Sequence, residues 1–108
     1  MSMQLPKPIE LYFTSVNSND TDTLAACFAA DATVQDEGHT YEGLAAIKEW
    51  KAGTKKKYDP TIEPLETVER DGTTVVKSKV SGNFPGSPVN LEFIFGPKGD
   101  KIASLEIR

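Results

Sequence analysis

The apolar residues of this chain change their period once, near residue 58, and that change limits the folds open to it. Before it they recur at helical spacing: Ile9, Tyr12, Phe13 and Val16 fall at i, i+3, i+4 and i+7, one stripe of a helix. After it they alternate, with Val76, Ser78, Val80, Gly82 and Phe84 on one face of a strand and Lys77, Lys79 and Asn83 on the other. Helices followed by a meandering antiparallel sheet make an α+β layout, with the helices gathered on one face of the sheet. A chain of 108 residues can bury one core, so a single domain over 1–108 is expected.

The predicted elements follow in order. Pro6 and Pro8 sit where a first helical turn tolerates proline, and Glu10 suits the positive end of the helix dipole. Asn17, Ser18, Asn19 and Asp20 break the stripe. Asp20 or Thr21 can cap a second helix whose buried edge is Leu24, Cys27 and Phe28, ending at Asp31. Residues 32–36 read as a short strand and 37–40 as a turn eased by Gly38. A third helix carries Leu44, Ile47 and Trp50 and is predicted to end near Gly53. Strands follow over 61–69 and 73–84, joined by the hairpin dipeptide Asp71-Gly72. In the next strand Val89, Leu91, Phe93 and Phe95 point one way, and Asn90, Glu92 and Ile94 the other. A turn over 96–100 leads to a last strand with Ile102, Leu105 and Ile107, whose change of parity predicts a bulge.

A net charge of -4 lacks the concentrated basic face that nucleic acid or an anionic membrane would need. The cluster Lys55, Lys56, Lys57 reads as a solvated helix end. One cysteine, Cys27, cannot form an internal disulfide and falls on a buried helical edge. The opening MSMQLPKP has no apolar run of a signal peptide and no stretch reaches the length of a membrane span, so a cytoplasmic protein is expected.

A twisted sheet wrapped around helices leaves an opening, the default place for a small apolar or aromatic ligand. Among the inward-facing residues of this half of the chain, Asp36 and His39 carry the ionisable chemistry. Asp36 reads either as a general base in an apolar pocket or as a strand-end residue accepting turn hydrogen bonds. Tyr12 is either a pocket donor or core. His39, the only histidine, is either a proton carrier beside Asp36 or an exposed turn residue. One histidine with no Cys or His at ligand spacing does not make a zinc site, and GNFPGSP joins strands where a phosphate loop would open a helix. No metal and no cofactor is therefore expected. Phe13, Phe28, Trp50, Val80, Phe84, Phe93 and Phe95 are core or ligand wall.

FAADATV, an Asp two residues on, and GLAAIKEW resemble the cone-shaped family of nuclear transport factor 2, the SnoaL-like polyketide cyclases and Δ5-3-ketosteroid isomerase. The helix pair before and the strand spacing after are also similar, so the resemblance spans essentially the whole chain. It implies three N-terminal helices packed in the concave face of a curved, mostly antiparallel sheet. It implies that Asp36 in TVQD moves a proton and Tyr12 faces the developing oxyanion, as in the isomerase mechanism. The protonated acid of that mechanism falls at Leu91, between Asn90 and Glu92. The cyclases look to later strands for a carboxylate, where Phe93, Phe95, Leu105 and Ile107 offer none. The same scaffold also serves non-catalytic binding and association modules, which the absent acid favours. Relatives commonly dimerise through the sheet, whose outer face carries Val75 and Ile94, so a homodimer is expected.

Overall fold

A computed structural model describes residues 5–18 and 21–108. Asn19, Asp20 and the side chain of Thr21, which carry the expected break and cap, lie outside the described residues. The elements run α1 (Lys7–Ser18), α2 (Thr21–Cys27), β1 (Phe28–Asp36), β2 (His39–Glu42), α3 (Gly43–Tyr58), β3 (Thr61–Arg70), β4 (Thr73–Ser81), β5 (Val89–Lys98) and β6 (Lys101–Ile107). One open sheet orders them β2-β1-β6-β5-β4-β3. Neighbours pair antiparallel except β1 with β6. This is the α+β arrangement that the change of period requires.

The core forms where the two periodicities meet. The α1 stripe of Ile9, Tyr12, Phe13 and Val16 is buried with Leu24, Ile47 and Trp50 of the other helices. The inward residues Val34, Ile62, Val76, Val80, Phe93, Phe95 and Leu105 complete it. Each large apolar side chain fully buried there contributes about 1.5–3 kcal/mol. Tyr12 makes edge contacts with Phe13, Phe28 and Phe95 at centroid distances of 5.3, 6.0 and 5.5 Å. Among the described residues no helix is long and apolar enough to cross a membrane.

Local structure departs from the sequence reading in five places. The second helix stops at Cys27, and Phe28 already pairs with Ile102 of β6. The alanines of 28–32 favour helix locally, but a strand partner far along the chain overrides that propensity. The turn after Asp36 is tighter than expected: Glu37 and Gly38 take positive φ of 54° and 78°, and His39 begins a strand paired with β1.

Helix α3 continues past Gly53 to Tyr58. Asp59 then caps it in a left-handed conformation, its N–H donating to the carbonyls of Lys55 and Thr54. Strand β4 ends at Ser81 because the next residues serve α3 instead. Asn83 donates to the Tyr58 carbonyl at 2.7 Å, and a Cβ at Gly82 would stand 2.6 Å from that same oxygen. Strand β5 runs on to Lys98, leaving the turn to Gly99 and Asp100. The bulge predicted in the last strand is present: Gly96 pairs with Ser104 and Pro97 with Ile102, leaving Ala103 unpaired.

Val75 faces away from the main core as strand parity predicts, yet it is only 1% exposed. It is flanked across the ladder by Val68 and Ile94. The open apolar surface on that face therefore comes from Val68 and Ile94 more than from Val75.

Candidate functional site

A cavity of about 420 Å³ opens between α1, α3 and the inner face of the sheet. The strand alternation supplies one wall: Val80 from β4, Val89, Leu91 and Phe93 from β5, and Ile107 from β6. A helical repeat supplies the opposite wall, because the neighbours Trp50 and Lys51 are followed at three- or four-residue steps by Thr54 and Tyr58 along one face of α3. Tyr12 closes the deep side from α1, and Asp36 enters from the end of β1. Tyr58 meets Phe84 of the β4–β5 loop edge to face at 5.7 Å and donates its hydroxyl to Glu37 at 3.0 Å.

Asp36 is half-buried, and the indole N–H of Trp50 donates to its Oδ2 at 3.0 Å. Burial pushes its pKa above the ordinary 3.8, against the lowering effect of the Trp50 hydrogen bond and with a further push from Glu37. Tyr12 is fully buried, and its hydroxyl has no hydrogen-bond partner among the described residues. Burial first, and the Asp36 charge second, hold its pKa well above the usual tyrosine value, so it remains a neutral donor. The cavity thus presents a proton acceptor, and one of its lining residues, Tyr12, carries a buried and uncommitted O–H donor.

Of the residues expected from sequence, Tyr12, Asp36, Trp50, Val80, Phe84 and Phe93 come together around this cavity. Phe13, Phe28 and Phe95 are buried in the aromatic core behind Tyr12 instead. His39 pairs directly with Asp36 across the β1–β2 ladder, but its side chain is exposed and borders a smaller neighbouring hollow beside the hairpin, which shares Asp36, Glu37 and Ile107 with the main cavity. The sequence reading missed Lys51 and the hydrogen bond that makes Trp50 a partner of Asp36. Ile47, Trp50, Lys51, Thr54 and Tyr58 form one stripe once the helix continues past Gly53, but a lysine on such a stripe carries no local signal that it is enclosed.

The unpartnered Tyr12 hydroxyl makes a stability test possible. A buried polar group without a partner costs about 1–3 kcal/mol, so Tyr12→Phe is expected to raise the melting temperature. Thermal unfolding followed by circular dichroism reads this. A lower melting temperature would show that the hydroxyl is satisfied in the folded protein.

The profile of the SnoaL-like domain matches residues 9–103. A crystal structure from Sinorhizobium meliloti, described as that of a candidate polyketide cyclase, is 44% identical with a TM-score of 0.95, covering 100% of this chain and 99% of that one. A Catenulispora acidiphila protein with a ketosteroid isomerase-like fold, in complex with trimethylamine, is 20% identical with a TM-score of 0.83, covering 97% and 86%. The epoxide hydrolase/cyclase-like enzyme SalBIII, connected with pyran ring formation in salinomycin, is 23% identical with a TM-score of 0.79, covering 94% and 86%. The last two show the fold alone. No curated protein matches the sequence.

Proposed function

This chain belongs to the SnoaL-like domain family, and from that premise we propose that it binds a small apolar carbonyl compound and moves a proton on it. Asp36 is the acid/base, abstracting a proton from the carbon next to the carbonyl, and Tyr12 donates its hydroxyl to the oxygen as charge develops there. The observation that carries this reading is a half-buried carboxyl on the wall of a largely apolar cavity, its proton affinity raised by burial. Isomerisation and ring closure both begin with that step, so the reading accommodates the cyclase description of the Sinorhizobium relative.

One feature supports a second reading, a binding module without catalysis. Leu91 lines the cavity, and the family resemblance assigns it the place at which the isomerase mechanism uses a protonated acid. The two part company in deuterium oxide. Proton NMR of a steroid enone and of a small aromatic β-diketone with the protein should show C–H exchange faster than buffer alone. Saturable binding with no exchange leaves the binding module.

The proposal includes a homodimer formed through the outer face of the sheet, where Val68 and Ile94 stand among charged residues. Light scattering at micromolar concentration is expected to give twice the chain mass of 11.8 kDa. A monomer mass there removes the dimer.

A further inference from the structure

Lys51 has no part in that proton transfer, yet its surroundings are those of a reactive amine. Its side chain lines the cavity, and Nζ stands 5.4 Å from the Tyr12 ring centre and 5.0 Å from that of Trp50. Among the described residues no carboxylate lies within ion-pair distance of it. Asp36 acts on it only from further off. An ammonium drawn out of water without a counter-ion gives up its proton readily, and burial lowers the Lys51 pKa from 10.5 to about 8.

We propose that Lys51 captures carbonyl compounds: its Nζ condenses with an aldehyde or unhindered ketone carried on an apolar body, forming an imine inside the cavity. This goes beyond the proton-transfer reading while using the same cavity. The Lys51 ammonium first gives a proton to the Asp36 carboxylate, and the freed nitrogen lone pair attacks the carbonyl carbon, so that the C–N bond forms and the C=O π pair moves onto oxygen. A proton passes from nitrogen to that oxygen, giving a neutral carbinolamine. The carboxyl of Asp36 then protonates the hydroxyl, which leaves as water while the nitrogen lone pair closes the C=N bond. The products are an iminium ion, the Asp36 carboxylate and one water, so atoms and charge balance with no oxidant or reductant.

The surroundings suit that product. The iminium charge takes the place of the ammonium over the faces of Tyr12 and Trp50, where a cation is attracted to the ring quadrupole. The new carboxylate is its counter-ion, and Val80, Leu91 and Phe93 hold the apolar body.

The test uses the intact protein with benzaldehyde and sodium cyanoborohydride near neutral pH, followed by peptide mapping in a mass spectrometer. Reduction turns the imine into a stable benzyl amine. Lys51 should be labelled at least about tenfold more than any other lysine, since free base increases roughly tenfold for each unit of lowered pKa. The selectivity should vanish in urea. Even labelling of all lysines in the folded protein, or an unlabelled Lys51, overturns the proposal. Trapping without deuterium exchange keeps the imine and removes the proton-transfer reading. Deuterium exchange in the parent with no trapping does the reverse.

Discussion

Asp36→Asn is expected to slow carbon-acid exchange by about 10²–10⁴-fold, the usual contribution of a positioned general base. The amide oxygen can still accept the Trp50 indole N–H, so the side chain keeps its place while losing its basicity. In the parent protein the rate should rise with pH through the Asp36 ionisation, and that inflection should lie above 3.8 because burial favours the protonated form. The variant should lack the inflection.

Stability should move the other way, which separates lost chemistry from lost folding. The folded protein holds the Asp36 proton to higher pH than the unfolded chain does. Ionisation therefore costs stability as pH rises from 3.8 through the folded pKa, and the cost persists at neutral pH. Asp36→Asn avoids it and should melt no lower than the parent at neutral pH. Exchange rates within threefold of the parent would end the assignment of Asp36 as the base.

Phe95→Ala is expected to destabilise the fold by about 3–5 kcal/mol, out of a total that for such domains is about 5–15 kcal/mol. Phe95 is 1% exposed, stacks on Phe93 at 6.5 Å and meets Tyr12 and Phe13 at 5.5 and 5.8 Å. Its removal leaves a void among Tyr12, Phe13 and Phe93 that the packed core cannot readily close. Tyr12 then loses one of the rings packed around it, which shifts a lining residue of the cavity, so ligand binding should weaken as well. Urea unfolding gives the number. A loss below about 1.5 kcal/mol would mean that the aromatic cluster repacks freely.

The candidate site was legible where chemistry and local pattern coincide. Asp36 is a charged residue closing an apolar strand, and Tyr12 lies on an unbroken apolar stripe. Either can be found by reading along the chain. His39 shows the limit of that method: nearness in sequence to Asp36 did not put it in the cavity, because a two-residue turn pairs the backbones and leaves the imidazole outside. Lys51 shows the converse. A lysine in a helix is ordinary until the wall opposite it turns out to be Val80, Leu91 and Phe93.

Hydrophobic period, turn residues and charge balance are local properties, and they determined the α+β class, the hairpin at Asp71-Gly72 and the bulge in β6. Pairing and enclosure are not local. The parallel contact of β1 with β6 made Phe28 a strand residue, and packing of α3 across the sheet left a cavity in place of a filled core. That same packing drew Lys51 and Asp36 out of water, and desolvation, which depends on everything surrounding a charge, is what shifts the proton affinity of both groups.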